Sequence, residues 1–304
     1  MALVPFDDRD GTIWMDGKLV PWRDAQLHVL THGLHYASGV FDGERVYGGE
    51  IFKLTEHTER LHKSADILGF KIPYTVEEID AACNELIRDN GIVDGYVRPI
   101  AWRGSEMMGV SAQNNTIHLA IAAWEWPAYF SPEARMAGLK MRISDWARPD
   151  PKTAPVISKA AGLYMICTLS KHKAEAEGYH DALMLDWRGY VAEATGANIF
   201  FLMEDGKLHT PKPDCFLDGI TRRTVKGLAE QMGYEVVERH IMPEEMAKAS
   251  EAFLTGTAVE VTPVASIGDY HFNPGRACES LMKAYDKEVR RGSDKAALIS
   301  GSAA

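Results

Sequence analysis

No segment of this chain is apolar for long enough to span a bilayer, and the longest candidate, Leu119–Trp124, reads as a buried strand. Cysteine is scarce. The four present, Cys83, Cys167, Cys215 and Cys278, stand far apart with no C-x-x-C pair. That spacing fits reduced thiols in a cytoplasmic protein. Positive charge is also short: 33 Lys and Arg face 43 Asp and Glu, for a net charge of −10. Broad contact with nucleic acid or an anionic membrane needs a basic face, so neither is expected as a partner. A local basic pocket for a small anion stays open. There is no Walker A loop, and no G-x-G-x-x-G follows a strand pattern, so nucleotide and dinucleotide folds have no support. The opening residues have no basic segment leading into an apolar one, so no signal peptide is expected.

What is present is an ordinary soluble composition, 46% hydrophobic and 25% charged over 304 residues, enough for one large domain or two medium ones. Residues 12–20 read as a hairpin turning at Asp16-Gly17. Phe41–Lys53 is hairpin-like around Gly43, Gly48 and Gly49. Apolar spacing predicts a helix over 55–68 and a second over 76–90, where Thr75 and Glu78 have the spacing of a capping box and Asn90-Gly91 a stop. Tyr96–Trp102 and Thr116–Trp126 read as strands. Residues 127–140, with Pro127, Pro132 and Gly138, mark a linker between a smaller domain, 1–126, and a larger one, 141–304. Beyond it the pattern predicts a strand at 140–147, a helix ending near Glu177, and paired strands at 182–186 and 190–193. Further strands at 198–203 and 208–210 flank an Asp205-Gly206 turn. A helix over 219–232, a strand over 235–239, a short helix at 243–248, a strand at 251–255 and a helix over 274–291 follow. The class is α+β.

The most suggestive stretch is 148–169. Three prolines hold its first half extended. Lys159 then stands among Ser158, Ala160, Ala161 and Gly162, with no carboxylate within seven residues on either side. A lysine in such company can be drawn inward, where desolvation disfavours its ammonium and frees a nucleophilic amine. Two other segments have the make-up of anion cradles. Leu217-Asp-Gly219-Ile220-Thr221 opens a helix pattern, where backbone N–H groups point outward. Gly256-Thr257-Ala258 follows a strand, and its small residues let backbone approach a phosphate. Cap and turn chemistry accounts for each as well. Glu193 closes a strand before Thr195-Gly196; an acid there is either a solvated strand end or a partner for a ring nitrogen. Arg60 and Arg98 offer planar forks for phosphate or carboxylate. Together these parts match the needs of pyridoxal phosphate: an amine, a phosphate cup and a ring-nitrogen acid. His28, His32 and His35 lie close in sequence, but Val29 stands where a zinc-protease glutamate would, so packing histidines are expected and no metal.

From about Ile13 to Arg276 the chain resembles the branched-chain amino-acid aminotransferases, fold-type IV enzymes that use pyridoxal phosphate. The motifs are His35-Tyr36-Ala-Ser-Gly-Val-Phe41-Asp-Gly43-Glu-Arg45, Glu56-His-Thr-Glu-Arg60-Leu, Tyr96-Val-Arg98-Pro, Met108-Gly-Val110, Lys159-Ala-Ala-Gly-Leu-Tyr164, Glu193-Ala-Thr-Gly196-Ala-Asn198-Ile-Phe, Leu217-Asp-Gly219-Ile220-Thr221-Arg and Gly256-Thr257-Ala258. The resemblance implies two α/β domains with the cofactor in the cleft between them. It makes Lys159 the Schiff-base lysine. Cofactor contacts would come from Arg60, Lys159, Tyr164, Glu193, Gly196, Asn198, Leu217, Gly219, Ile220, Thr221, Gly256 and Thr257. Substrate contacts would come from Tyr36, Phe41, Arg45, Tyr96, Arg98, Val110, Tyr129 and Ala258, with Arg98 on the glutamate side-chain carboxylate. It further implies transamination of L-leucine, L-isoleucine or L-valine with 2-oxoglutarate, and at least a homodimer in which Tyr36 and Val110 serve the neighbouring subunit's site. Two positions depart from the family pattern: Ala194 where glycine is usual, and Glu44 where an apolar residue is common. The same fold also serves D-amino-acid transaminases, amine transaminases and aminodeoxychorismate lyases, which remain alternatives because pocket residues change readily within one fold. A cofactor-binding regulatory protein without turnover and a histidine-built hydrolase are the readings from other classes.

Overall fold

The computed structural model describes residues 4–126 and 136–292. By contacts, the described residues divide into two compact units: residues 4–126 with 158–162 and 290–292, and residues 136–157 with 163–289.

The first unit is built on a seven-stranded antiparallel sheet. β1 (Thr12–Met15) and β2 (Lys18–Pro21) form the expected hairpin. Its turn residues Asp16 and Gly17 both have positive φ, 49° and 91°, which the twist of a tight hairpin requires. α1 is short (His32–Tyr36). β3 (Gly39–Phe41), β4 (Glu44–Tyr47) and β5 (Glu50–Ile51) follow, then α2 (Leu54–Ile67), α3 (Val76–Asp89), β6 (Gly95–Arg103) and β7 (Ile117–Glu125). The strand order is β2-β1-β7-β6-β4-β5, with β3 also on β6. The predicted capping box closes α3: Glu78 N donates to Thr75 Oγ1 at 3.2 Å, and Thr75 N donates to Glu78 Oε2 at 2.7 Å. Both helices press an apolar face, including Leu61, Ile79 and Leu86, onto Val46, Val97 and Ile121 of the sheet. β3 has a further partner. Val40 bridges Ala160, and Phe41 N donates to Lys159 O at 3.1 Å, so the Lys159 segment lies along its other edge.

The second unit is a nine-stranded mixed sheet. Its elements are β8 (Leu139–Ile143), α4 (Met165–Ala176), β9 (Asp181–Leu185), β10 (Val191–Ala194), β11 (Asn198–Met203), β12 (Leu208–Pro211), α5 (Ile220–Gln231), β13 (Val236–Arg239), β14 (Ala249–Gly256), β15 (Glu260–Ile267), β16 (Tyr270–His271) and α6 (Arg276–Val289). The order is β10-β9-β8-β15-β14-β11-β12-β13, with β16 on β15. The two predicted hairpins, β9–β10 and β11–β12, are present.

Several expectations shift. The strand expected over 140–147 ends at Ile143, because Ser144 Oγ accepts Trp146 N at 2.9 Å and turns the chain outward. Residues 243–248 form a 3₁₀ helix. β15 lies outside the expected pattern, since Pro263 lacks the N–H of a central strand. The sheet absorbs it: Pro263 pairs with Phe253, and the register to β8 slips just beyond it, between Val264 and Ser266. Among the described residues no helix is long and apolar enough to cross a membrane.

Candidate active site

In the first unit, strand alternation sets Tyr96 and Arg98 two residues apart on one face of β6. Arg98 Nη2 donates to the Tyr96 hydroxyl at 3.3 Å, and its guanidinium lies 4.8 Å from the centre of the Phe41 ring. Lys159 Nζ lies 5.1 Å from the same ring. Phe41, Tyr96, Arg98 and Lys159 therefore form one cluster, with two cations on an aromatic ring. The Arg98 Nε is buried with no acceptor among the described residues, a donor poised for an anion. Gly43 lets β4 pass: a Cβ there would stand 1.8 Å from the Tyr96 hydroxyl. Arg45, opposite Tyr96 in the ladder, is buried and lies 5.1 Å from the Tyr47 ring.

Lys159 is half-buried, while Ser158 and Ala160 on either side are buried. Its position is fixed through its backbone: Lys159 N donates to Ser64 Oγ at 3.0 Å, and Ser158 Oγ donates to Ser64 O at 3.0 Å.

Arg60 leads to a group the sequence did not reveal. Its Nε and Nη2 donate to both oxygens of Asp42, at 2.8 and 2.7 Å. Asp42 is fully buried, and its Oδ1 also accepts from Gly43 N at 2.7 Å and meets His57 Nδ1 at 2.8 Å. Burial pushes the Asp42 carboxyl up, but the Arg60 and His57 charges and hydrogen bonds outweigh it and hold it below the usual carboxylate range. Burial lowers the His57 pKa against the pull of Asp42.

Glu44 is the opposite case. It is fully buried, neither carboxyl oxygen has a hydrogen-bond partner among the described residues, and its neighbouring charges are Asp42, Asp80 and Arg60. Burial raises its pKa well above normal, and Asp42 and Asp80 add to the rise. It also raises the Cys83 pKa, after burial itself. Cys83 belongs to the apolar core under α3, so Glu44 faces that core, whereas its neighbour Arg45 ladders with Tyr96. A carboxyl with a raised folded pKa holds its full stabilising share below the ordinary value of 4.5 and loses it as pH rises toward the folded value. The wild-type protein should therefore lose up to about 1.4 kcal/mol per pH unit across that window, relative to Glu44→Ile. Urea midpoints of the two proteins from about pH 5 to about pH 8 check this; parallel curves would refute it.

The three histidines go separate ways. His32 Nδ1 meets Ser38 Oγ at 2.6 Å and its Nε2 meets Gly109 O at 3.0 Å; His35 Nε2 meets Val29 O at 2.8 Å; His28 Nδ1 accepts Leu30 N at 3.1 Å. Tyr36 and Val110 stand exposed, Tyr36 stacked on His32 with its hydroxyl donating to Met108 O at 3.3 Å. Tyr129 lies outside the described residues.

The second unit carries the other predicted residues. Glu193, on β10, has Oε1 3.5 Å from Arg148 Nε, an ion pair between a buried arginine and a half-buried acid that sequence reading missed. Arg148 Nη1 also donates to Cys167 Sγ at 3.6 Å. Asn198 reaches Glu193 Oε2 at 3.3 Å, Leu217 O at 3.0 Å and Gly219 N at 3.2 Å, so the structure brings the acid and the first cradle together. α5 begins at Gly219 with no side-chain cap and no acidic residue in its first turn, and Ile220 and Thr221 form that turn. Gly256 ends β14; a Cβ there would press Ala197 and Gly196 at 3.3 Å. Thr257 is half-buried and Ala258 exposed. The adjoining Thr255 hydroxyl is buried without a partner among the described residues. Tyr164 is half-buried ahead of α4.

The sequence pattern of the family described as Amino-transferase class IV matches residues 39–267. The chain belongs to the class IV aminotransferases. It is 44% identical over 285 residues to a branched-chain-amino-acid aminotransferase of Pseudomonas aeruginosa, covering 91% of this chain and 92% of that protein. A counterpart from Escherichia coli is 38% identical over 277 residues, 89% of each chain. The crystal structure of the T.th. branched-chain amino acid aminotransferase with pyridoxamine 5'-phosphate superposes with a TM-score of 0.89 at 39% identity, covering 92% of this chain and 94% of that one. The fold is that of the fold-type IV aminotransferases, as expected. For a class IV aminotransferase, the residues missed from sequence are Asp42, His57 and Arg148. The adjacent motifs Phe41-Asp-Gly43 and His57-Thr-Glu-Arg60 hold two of them in plain view, but nothing in their spacing joins the acid to the arginine.

Proposed function

We propose that this aminotransferase passes the amino group of L-leucine, L-isoleucine or L-valine to 2-oxoglutarate, using pyridoxal phosphate, as a cytoplasmic protein of at least two chains. The observation that carries the reading is the cluster of Lys159, Phe41, Tyr96 and Arg98. The names of the similar proteins support the substrate class. Four free, buried cysteines support a reducing compartment. Exposed Leu27, Val29, Leu34, Tyr36, Met107 and Val110 support a covering subunit.

The donor set fits the cofactor. The uncapped start of α5 and the Thr255 hydroxyl, without a partner among the described residues, suit a phosphate, and the Glu193 carboxylate suits a pyridine nitrogen. When bound, pyridoxal phosphate supplies an electron sink that acidifies the Cα–H of an amino acid. Lys159 then takes and returns the proton at the substrate's Cα, acting as base and acid in turn. Glu193 would face the ring nitrogen, and Arg148, 3.5 Å from its carboxylate, would hold that acid in place. Arg60 and the backbone at Gly219–Thr221 and Gly256–Thr257 would hold its phosphate, and Tyr164 would hold its ring oxygen. Tyr96 and the backbone at Thr257 and Ala258 hold the α-carboxylate. Arg98 takes the second carboxylate of 2-oxoglutarate and glutamate, while Phe41 and the partner-facing Tyr36 and Val110 form apolar walls.

Purified protein should transaminate L-leucine and leave D-alanine and an achiral amine nearly untouched, at a solution mass of two chains or more. Arg98→Ala should raise the KM for 2-oxoglutarate by about tenfold or more, with a smaller effect on leucine. Preference for D-alanine or the amine would transfer the protein to one of the neighbouring activities, and equal losses on both substrates would make Arg98 a structural residue.

A further inference from the structure

Glu193 and the cradle at Leu217–Thr221 lie well apart in the chain, and one side chain ties them together. Asn198 is 5% exposed at the start of β11. Its Nδ2 donates to Leu217 O at 3.0 Å and to Glu193 Oε2 at 3.3 Å, and its Oδ1 accepts from Gly219 N at 3.2 Å. A primary amide is suited to this: it has two N–H donors and an acceptor on one rigid plane. Both donors are spent on protein groups, so Asn198 has none left for a ligand. The contact is also close. A Cβ at Gly219 would stand 2.3 Å from Asn198 Oδ1, so the loop approaches as only glycine permits. On its far side, the Glu193 carboxylate is held by Arg148 at 3.5 Å.

We infer that Asn198 is a positioning residue, fixing the spacing between the ring-nitrogen acid and the phosphate loop, and that it does not itself contact the cofactor as the family resemblance implies. This deepens the proposed function and rests on it. Holding both ends at a set distance favours a ligand whose ring and phosphate lie at that same distance, because the ordering is done before binding.

The test uses the full-length protein, free of cofactor, and two variants. Asn198→Ala removes all three hydrogen bonds. Amide hydrogen exchange at Gly219–Thr221 should quicken by about tenfold, which corresponds to about 1.4 kcal/mol. Affinity for pyridoxal phosphate should fall by about tenfold as well, and affinity for pyridoxal, which lacks the phosphate, should fall too, because Glu193 has lost its hydrogen bond from Asn198 and keeps its contact with Arg148. Asn198→Asp keeps the acceptor for Gly219 and sets a second carboxylate against Glu193. Its exchange should stay nearer to wild type than that of the alanine variant, while both affinities fall. Unchanged exchange in Asn198→Ala, or a loss confined to pyridoxal phosphate with pyridoxal unaffected, would overturn the inference. Wild-type protein that bound neither compound would overturn the cofactor reading instead, and the exchange rates would still decide whether Asn198 holds the loop.

Discussion

Lys159→Ala protein should fold normally and turn over L-leucine with 2-oxoglutarate at least about a thousandfold more slowly than wild type. The fold survives because the segment is held by its backbone and by its neighbours. Lys159 N bonds Ser64 Oγ, Lys159 O accepts from Phe41 N, Ser158 Oγ bonds Ser64 O, and Val40 bridges Ala160. None of these uses the amine. Chemistry is lost because alanine has neither a nucleophile nor a group to move a proton. Lys159→Arg sharpens the test: it keeps the cation, but a guanidinium does not give up its proton in a protein, so the loss should be of the same order. The measurements are the urea midpoint, the visible absorbance of bound cofactor and turnover. Either variant transaminating leucine at the wild-type rate would remove Lys159 from the centre of the reaction.

Asp42→Asn has the largest expected effect on stability, a loss of about 3–5 kcal/mol at neutral pH. The carboxylate is fully buried and accepts two charge-assisted bonds from Arg60, one from Gly43 N and one from His57. An amide of the same shape keeps the volume and strips the counter-charge from a guanidinium whose side chain is only 14% exposed. The pH dependence follows from the depressed carboxyl. A group whose folded pKa is lowered gives stability that is present above its ordinary value of 3.8 and lost as pH falls below it. The gap between wild type and Asp42→Asn should thus be widest near neutral pH and narrow in acid. Denaturant midpoints at about pH 7 and about pH 3 measure it, and a neutral-pH loss under about 1 kcal/mol would mean the pair contributes little.

The parts of this molecule that can be read from its sequence are those whose cause lies within a few residues. Thr75 and Glu78 announce α3 because a capping box is a local exchange of hydrogen bonds. Asp16-Gly17 and Asp205-Gly206 announce hairpins because the turn is chosen by the residues in it. β15 stays hidden because Pro263 forbids a regular strand locally, and only the neighbouring strands on both sides make one worthwhile. β3 is three residues long and leans on β6 and on the Lys159 segment, both far off in sequence. The site divides in the same way. Lys159 and the two cradles are visible from composition and glycine placement. The ion pairs Asp42–Arg60 and Arg148–Glu193 join residues whose spacing carries no period, so nothing short of the fold could pair them. Glu44 stands out of pattern in the sequence, and only its burial shows that it faces the core.

The pairing of β3 on two edges has a consequence for how the chain is made. Phe41 leaves the ribosome long before Lys159, so through much of synthesis β3 has β6 on one side and nothing on the other. An open edge of this kind is where strands of other chains add. The nascent protein thus carries this open edge until the Lys159 segment emerges, and the lysine proposed as the reacting amine arrives on the stretch of chain that seals the sheet.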